Sequence, residues 1–342
     1  MKDQFAGCLL GGAAGDALGY TVEFMDQQQI QSWFGHSGIT EPQPDSKSGK
    51  ALISDDTQLT LFTLDGLIWA YEAGLPYAEG GLYPSYLRWL YTQTGWIADR
   101  ALLSLQPHEK GGGILAQKEL YFRRAPGTTC LNALRSGKMG TMAEPINGSK
   151  GCGGVMRVAP VGLFLNGDPA YAFRVAAEAA AITHGHPTGY LAAGALAAII
   201  ALLMNNVPLE RTPAEAIRLL RRYQGYEETE AALESACELY GGTLPAEHAI
   251  RRLGLGWTAG EALSIGLYCA MKNGGFERPL ALAVNHDGDS DSTGAVCGSL
   301  LGAEGKSALS AEWESKLELS AYIRGRAGEL AAVRKKPAGK KK

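Results

Sequence analysis

Two parts of the sequence carry glycines at intervals of four residues. The first set is Gly7, Gly11, Gly15 and Gly19, and the second, close to the other end of the chain, is Gly294, Gly298 and Gly302. A spacing of four places each set on one face of a helix. Glycine costs about 1 kcal/mol per helical position relative to alanine, so a whole row of glycines indicates that another backbone lies very close. The first and the penultimate helix are therefore predicted to pack against each other.

Helical patterns dominate the remaining sequence. Alanine, leucine and glutamate recur throughout, and no stretch shows the sustained apolar and polar alternation of a half-buried strand. The predicted helices cover roughly residues 3–19, 57–73, 83–92, 115–123, 169–182, 188–204, 213–223, 227–238, 259–270, 278–284, 293–303 and 311–323. With 342 residues, 46% of them hydrophobic, the chain can bury a large core. The predicted fold is all-α, as one compact domain over residues 1–330 with a basic, disordered tail over residues 331–342.

Charge and hydropathy disfavour several classes of function. The formal net charge is −3, so the chain lacks the basic field that drives nucleic-acid binding. The longest apolar run, residues 191–204, is shorter than the ~20 residues that cross a bilayer, which predicts a buried helix and no membrane partner. The first residues lack a secretory signal pattern and the six cysteines include no CxxC pair, so a reduced protein in the cytoplasm is expected.

Two short clusters that lie far apart in the sequence contain the four aspartates Asp55, Asp56, Asp289 and Asp291. The clusters are Ser54-Asp55-Asp56-Thr57 and Asp287-Gly288-Asp289-Ser290-Asp291-Ser292-Thr293, and each runs into a predicted helix. Four carboxylates brought together repel one another unless their pKa values rise or cations neutralise them. Two divalent ions would balance the four charges, and a ligand set made only of oxygen favours Mg2+ or Mn2+. The clusters therefore predict one metal centre that is divided between the two ends of the chain.

Helix capping is the alternative explanation for these clusters. A side-chain oxygen satisfies free N–H groups at a helix start, and a negative charge suits the positive end of the helix dipole. Capping accounts for one aspartate per helix but not for runs this dense. The second cluster also resembles the start of a calcium-binding EF-hand loop, but its sixth position is Ser292 instead of glycine and its twelfth is Gly298 instead of glutamate.

A glycine-rich segment over residues 148–157 has two possible roles. Such a loop can direct successive N–H groups at a phosphate, or it can be a simple turn. It does not end in Gly-Lys-Ser/Thr and does not follow a predicted strand, so neither a P-loop nor a dinucleotide fingerprint is present.

Several single polar residues also stand out. His184 and His186 lie in a turn where they are expected to contact a ligand or cap a helix instead of binding a metal as a pair. Glu23 is an acid within an apolar stretch, so it is expected either to lie on the surface or to belong to a functional site. Asp16 lies in the glycine-striped helix, where burial would cost several kcal/mol without hydrogen bonds, so a capping or supporting role is predicted.

Taken together, these segments resemble the ADP-ribosylglycohydrolase family over most of the chain. The residues that carry the resemblance are Gly7-Cys8-Leu9-Leu10-Gly11, Gly15-Asp16-Ala17-Leu18-Gly19, Val22-Glu23-Phe24, Ser54-Asp55-Asp56-Thr57, Ala125-Pro126-Gly127-Thr128-Thr129-Cys130, Gly151-Cys152-Gly153-Gly154-Val155-Met156-Arg157, Thr183-His184, and Gly288-Asp289-Ser290-Asp291-Ser292-Thr293-Gly294. Several motifs in the same order make the resemblance specific.

The resemblance implies an all-α fold of compact, orthogonal helices and a binuclear Mg2+ or Mn2+ centre. By motif position, its metal ligands would be Ser54, Asp55, Asp56, Asp289, Asp291 and Ser292, with serine at two positions where the family often has threonine. The substrate would contact Gly151, Cys152, Gly153, Gly154, Val155, Met156 and His184. Catalytic candidates are Glu23, Asp55 and Asp289, together with Asp99, whose surroundings depart from the family pattern.

The activity that the resemblance implies is removal of ADP-ribose from a mono-ADP-ribosylated protein, from arginine first of all. The expected partners are the modified protein and the product ADP-ribose, and a monomer is expected. Serine-linked, other O-linked or nucleic-acid-linked ADP-ribose are alternative substrates. An immunity protein that reverses the action of an ADP-ribosylating toxin and a non-catalytic, crystallin-like binder are alternative functions.

Overall fold

The computed structural model describes residues 2–104, 113–306 and 308–334, and this part of the chain contains sixteen α-helices and no β-strand. The helices are α1 (Lys2–Tyr20), α2 (Gln27–Phe34), α3 (Asp55–Ala73), α4 (Tyr83–Thr94), α5 (Thr128–Arg135), α6 (Ala159–Phe164), α7 (Pro169–Ala181), α8 (Pro187–Met204), α9 (Thr212–Leu220), α10 (Glu227–Gly241), α11 (Ala246–Leu253), α12 (Ala259–Ala270), α13 (Glu277–Val284), α14 (Ser290–Glu304), α15 (Ala311–Lys316) and α16 (Ser320–Val333). The predicted all-α fold is confirmed.

The two glycine-striped helices, α1 and α14, pack against each other as antiparallel neighbours. Gly7 faces Gly302, Gly11 faces Gly298 and Gly15 faces Gly294, in each case backbone against backbone. A Cβ atom added at Gly15 would overlap the carbonyl group of Gly294, because no space for a side chain exists between the helices. The packing prediction is confirmed, except that α14 is not the penultimate helix, since α15 and α16 follow it.

The most apolar helix, α8, lies in the core. By length and composition alone this helix could cross a membrane, but 89% of it is buried within the protein. It packs against α7, α6, α9 and α14. The prediction of a buried helix at this position is therefore confirmed, and its apolar residues are explained by contacts with other helices.

Several predicted helix boundaries were wrong. Residues 115–123 form short 3-10 turns instead of an α-helix. The helix predicted over residues 311–323 is broken at Leu319, which has a positive φ of 54°. Helix α16 then continues to Val333, beyond the predicted start of the tail at residue 331, because its buried residues Leu330, Ala331 and Val333 pack on the core. Residues 335–342 of the predicted tail lie outside the described residues.

Candidate active site

The two aspartate clusters meet at one cleft of about 430 Å³. The contact of α1 with α14 places the start of α14 beside the end of α1, and the start of α3 lies next to both. The acidic wall of the cleft consists of Glu23, Asp55, Asp56, Asp289, Asp291 and Ser292. The fold thus brings together residues from both ends of the chain, as the sequence predicted.

The start of α3 is held in place from two sides. Ser54 is the N-cap residue, and its Oγ atom accepts a hydrogen bond from the N–H of Asp56 at 3.2 Å. The buried carboxylate of Asp16 accepts hydrogen bonds from the N–H of Ser54 at 3.0 Å and from the N–H and hydroxyl of Thr57. Asp16 therefore supports the aspartate-bearing turn, whereas Ser54 is fully buried behind the cleft lining.

The start of α14 has a similar arrangement. Asp289 is the N-cap residue, and its Oδ1 atom accepts a hydrogen bond from the N–H of Ser292 at 3.2 Å. Its Oδ2 atom accepts a hydrogen bond from the Cys152 thiol, with sulfur and oxygen 2.7 Å apart. Asp291 Oδ1 accepts from the same Ser292 N–H at 2.8 Å. Capping thus explains Ser54 and Asp289. It does not account for Asp55, Asp56 or Asp291, although Asp55 Oδ2 accepts a hydrogen bond from Gly127 N at 3.2 Å.

Burial and mutual repulsion raise the pKa values of four carboxyl groups in this cleft, those of Glu23, Asp55, Asp56 and Asp291. Desolvation is the largest cause for each of these four, and the charges of neighbouring carboxylates raise the pKa values further. The pKa rises to about 9 for Glu23 and to about 8 for Asp55, and those of Asp56 and Asp291 are raised well above the usual range. Carboxyl groups in this state need either protons or cations at neutral pH.

Two carboxylate oxygens in the cleft are evidence for a cation-binding site. Glu23 Oε2 and Asp56 Oδ2 are buried and have no hydrogen-bond partner. Within the described residues, no group of three or more His, Cys, Asp or Glu side chains is arranged to hold a metal ion. In charge and in donor type the cleft residues do fit a divalent cation, since carboxylate and hydroxyl oxygens suit hard ions.

The glycine-rich loop forms another wall of the cleft and touches the acidic wall, where the Cys152 thiol donates to Asp289 Oδ2. Gly151, Cys152, Gly153 and Met156 line it, while Gly154 and Val155 are buried behind the lining. A Cβ atom at Gly153 would lie 3.0 Å from Cys130 Sγ and 3.1 Å from His184 Cε1, so the loop needs glycine for close packing.

The N–H groups at the start of this loop are already used within the protein. Gly151 N donates to Ser149 Oγ at 3.3 Å, and Cys152 N donates to Trp257 O at 3.1 Å. The phosphate-binding role predicted for the loop consequently cannot rest on these two groups.

The two histidines of the 184–186 turn have separate roles. His184 lines the cleft, and its Nδ1 atom lies 2.8 Å from the hydroxyl of Thr183. Burial, together with the nearby Arg157, lowers the pKa of His184 to about 3, so its ring is neutral at physiological pH. His186 caps α8 instead, where its Nδ1 atom accepts from Thr188 N at 3.2 Å.

Arg157 lies buried behind the glycine-rich loop and His184 and supports both. It is fully buried, and its Nη2 atom donates to Ala179 O at 3.0 Å and to Thr183 Oγ1 at 2.8 Å. Its guanidinium carbon lies 4.2 Å from the ring centroid of Tyr86. Arg157 therefore holds the wall of the cleft without lining it.

One predicted catalytic candidate, Asp99, is not brought to the cleft. Its side chain is exposed and accepts a hydrogen bond from Ala101 N at 2.9 Å, as in an ordinary turn. The stretch around Asp99 departs from the family pattern, which was the signal in the sequence against it.

Sequence reasoning missed two aromatic residues at the rim. The rings of Phe24 and Trp257 lie 6.5 Å apart, are nearly parallel at 24°, and are 73% and 42% exposed. Phe24 follows the acidic Glu23 directly, but Trp257 had no comparable signal because it belongs to no motif.

The chain is similar in sequence and in fold to known proteins. The sequence model of the family described as ADP-ribosylglycohydrolase matches residues 1–339. The chain is 27% identical to the ADP-ribosyl-[dinitrogen reductase] glycohydrolase of Rhodospirillum rubrum, over 93% of this chain and 92% of that protein. It is 24% identical to the ADP-ribosylarginine hydrolase Tri1 of Pseudomonas putida, over 96% of this chain and 78% of that protein. A solved ADP-ribosylglycohydrolase-related protein complex shares the fold, with a TM-score of 0.66 and 24% identity over 97% of this chain and 98% of the matched one.

Proposed function

Because the chain belongs to the ADP-ribosylglycohydrolase family, we propose that it removes ADP-ribose from the arginine side chains of mono-ADP-ribosylated proteins. Hydrolysis of ADP-ribosyl groups is the activity of this family, and the family is generally metal-dependent. The choice of arginine is supported by the Pseudomonas putida relative, which is named as an ADP-ribosylarginine hydrolase. A cytoplasmic, monomeric enzyme with two Mg2+ or Mn2+ ions is part of the same proposal.

The observation that carries the proposal is that buried carboxyl groups and the glycine-rich loop line one cleft. One wall presents buried carboxyl groups, including the partnerless Glu23 Oε2 atom. The other presents the glycine-rich loop and the neutral His184. A polar ligand with a diphosphate and two riboses fits such a cleft, because it offers hydroxyls to the acidic wall and a narrow chain to the loop.

The metal ions would be held by Asp55, Asp56, Asp289 and Asp291, with hydroxyl oxygens from Ser54 and Ser292. Their carboxylates face the cleft, whereas Ser54 lies behind it and already accepts a hydrogen bond from Asp56 N. When bound, divalent ions supply positive charge that compensates the carboxylates and polarises oxygen atoms of the ligand.

The hydrolytic step breaks the bond between the ribose C1″ atom and the arginine nitrogen and forms a bond between C1″ and a water oxygen. One water proton must reach a base, and the leaving nitrogen must receive a proton. Glu23 is the proposed proton acceptor, because its carboxyl has one oxygen without a partner and lines the cleft. Since its pKa is about 9 without metal, this role requires that cations in the cleft keep it ionised at neutral pH. His184 is proposed to hold the ligand by hydrogen bonding, since a pKa of about 3 makes it a poor proton carrier at neutral pH.

A panel of modified peptides tests the linkage. The purified protein is incubated with arginine- and serine-ADP-ribosylated peptides in Mg2+, Mn2+ or EDTA, and free ADP-ribose is followed by mass spectrometry. Release from the arginine peptide alone, lost in EDTA, supports the proposal. Release from the serine peptide alone would overturn the proposed arginine linkage and favour O-linked substrates. Tight binding of ADP-ribose without release from either peptide would favour a non-catalytic binder.

Two matched variants test the assignment of Glu23. Glu23→Gln keeps the shape of the side chain and removes its basicity, so kcat is expected to fall by about 100-fold or more. Asp99→Asn changes an exposed acid outside the cleft and is expected to leave kcat unchanged. Equal losses in both variants, or a loss only in Asp99→Asn, would overturn the assignment.

A further inference from the structure

Two exposed aromatic side chains, those of Phe24 and Trp257, form a pair at the mouth of the cleft. Both line the cleft, although Phe24 is 73% exposed and Trp257 is 42% exposed. Their ring centroids lie 6.5 Å apart at an interplanar angle of 24°, near the long end of the about 4.5–7 Å over which aromatic pairs attract each other. The two rings are therefore nearly parallel but only loosely in contact, and neither belongs to the hydrophobic core.

This aromatic pair is joined to the acidic wall of the cleft. Phe24 directly follows Glu23, the proposed proton acceptor. The carbonyl oxygen of Trp257 accepts a hydrogen bond from Cys152 N at 3.1 Å, and the Cys152 thiol in turn donates to Asp289 Oδ2 at 2.7 Å. The two rings consequently lie at the solvent-exposed edge of the wall that carries the carboxyl groups.

A modified arginine must enter this cleft from the solvent, because it remains attached to a protein. Its guanidinium group would therefore lie at the mouth when the attached ribose reaches the carboxyl groups. We propose that Phe24 and Trp257 hold this guanidinium group between their rings and thereby select arginine-linked ADP-ribose. The inference rests on the proposed function, to which it adds the two residues that recognise the leaving group.

A guanidinium group matches the aromatic pair in shape. It is planar and stacks on aromatic faces, where its positive charge is attracted by the ring electrons. A flat group between two parallel rings needs a centroid separation of about 7 Å, since carbon atoms in contact lie about 3.5 Å apart. The observed separation of 6.5 Å therefore requires only a small movement of two exposed side chains.

The charge of the cleft also favours a cationic leaving group. The lining includes the carboxyl groups of Glu23, Asp55, Asp56, Asp289 and Asp291, and none of the described lining residues is a lysine or an arginine. Two divalent ions, as in the proposed function, would leave one of these five carboxylates uncompensated. Because serine-linked ADP-ribose has no positive charge on its leaving group, the aromatic pair would favour arginine over serine.

Leucine variants of the two aromatic residues test this inference. Phe24→Leu and Trp257→Leu keep apolar side chains at exposed positions, so both should fold. Each should lower kcat/KM for an arginine-ADP-ribosylated peptide about 5-fold or more, because a cation–π contact is lost. Free ADP-ribose has no guanidinium group, so its affinity in a calorimetric titration should stay at the wild-type value. The matched control is Trp33→Leu, at a 73% exposed position outside the cleft lining, which should leave both quantities unchanged.

A variant that preserves the ring makes the test specific for the aromatic face. Phe24→Tyr should recover most of the kcat/KM that Phe24→Leu loses. Unchanged kcat/KM in both leucine variants, or no recovery in Phe24→Tyr, would overturn the inference. A loss of ADP-ribose affinity as large as the loss of kcat/KM would overturn it too, because the rings would then hold another part of the ligand, such as the adenine.

The wild-type protein, measured alongside, separates this inference from the proposed function. No release of ADP-ribose from the arginine peptide by the wild type would contradict the proposed function, and this inference with it. Release by the wild type at the same rate as by both leucine variants would contradict this inference alone.

Discussion

The carboxylate of Asp16, near the end of α1, accepts a hydrogen bond from the backbone N–H of Thr57 at 3.0 Å. It also accepts from Ser54 N, so one buried side chain holds both ends of the turn that presents Asp55 and Asp56. Helix α1 therefore determines the position of the acidic wall in two ways. The glycine stripe of α1 positions α14, and Asp16 positions α3.

Replacing Asp16 with alanine should weaken both folding and metal binding. The variant leaves the N–H groups of Ser54 and Thr57 unsatisfied, which should lower the free energy of unfolding by about 1–3 kcal/mol. Because the turn with Asp55 and Asp56 loses its support, Mg2+ affinity should fall about 10-fold in a calorimetric titration.

Asp168→Ala is the matched control for that experiment. Asp168 caps α7 by accepting hydrogen bonds from Ala170 N and Tyr171 N, and it does not line the cleft. Its loss should cost about 1 kcal/mol of stability and leave metal affinity unchanged. Wild-type metal affinity in Asp16→Ala would contradict the supporting role of Asp16.

Adding a methyl group between α1 and α14 should destabilise the protein strongly. A Cβ atom at Gly15 would overlap the Gly294 carbonyl group, so Gly15→Ala must separate the helices and should cost at least about 2 kcal/mol. Gly325→Ala in α16 meets no atom within 4 Å and should stabilise the protein by about 0.5–1 kcal/mol. Urea denaturation measures both. Equal effects of the two substitutions would contradict the close contact of α1 with α14.

Two aspartates of the same helix should respond in opposite ways to substitution. Asp56 has an oxygen without a partner in the acidic cleft, so Asp56→Asn should leave the metal-free protein as stable as wild type or more stable. Asp65 is paired with Arg88 at 2.6 Å and with Arg326 at 3.3 Å, and all three are buried. Asp65→Asn breaks this network and should cost about 3–5 kcal/mol.

Denaturation of EDTA-treated protein distinguishes the two aspartates, and a calorimetric Mg2+ titration completes the comparison. Asp56→Asn should bind Mg2+ about 10-fold or more weakly, because it loses one of the proposed ligands. A large loss of stability in metal-free Asp56→Asn would show that this aspartate has a structural role instead.

The acidic cleft also predicts how stability changes with pH. Folding raises the pKa of Asp16 to about 6, of Asp55 to about 8 and of Glu23 to about 9. A carboxyl group whose folded pKa exceeds its unfolded pKa stabilises the fold while it is protonated, fully below about pH 4. This stabilisation is lost as the pH rises through the folded pKa values, from about 6 to about 9.

Thermal melting with and without Mg2+ tests this dependence. In EDTA, the melting temperature should fall between about pH 5 and about pH 9 by several degrees. Mg2+ should raise the melting temperature, and the increase should grow with pH, because cations replace the lost protons. A melting temperature that rises with pH in EDTA would contradict the assigned pKa shifts.

Much of this arrangement could be predicted from the sequence, because the signals were local or periodic. The four-residue spacing of Gly7 to Gly19 and of Gly294 to Gly302 indicated the α1 and α14 contact, and the density of the aspartate clusters indicated the acidic wall. Asp16 stood out because a buried acid in a glycine-striped helix needs hydrogen bonds.

Features that depend on tertiary contacts could not be predicted. The break at Leu319 has no glycine or proline to mark it. Trp257 lies at the cleft rim, where its carbonyl oxygen accepts a hydrogen bond from Cys152 N, a contact between distant segments. The hydrogen bond of the Cys152 thiol to Asp289 likewise joins two loops far apart in the sequence.

The most direct test of the central claim is the rate of ADP-ribose release from an arginine-modified protein by chelator-treated enzyme, before and after Mg2+ or Mn2+ is returned. The account predicts no release without metal, full recovery in the wild-type protein, and a rate about 1,000-fold lower in folded Asp289→Asn at any metal concentration. Release at the same rate in EDTA, or wild-type rates in Asp289→Asn, would contradict the account.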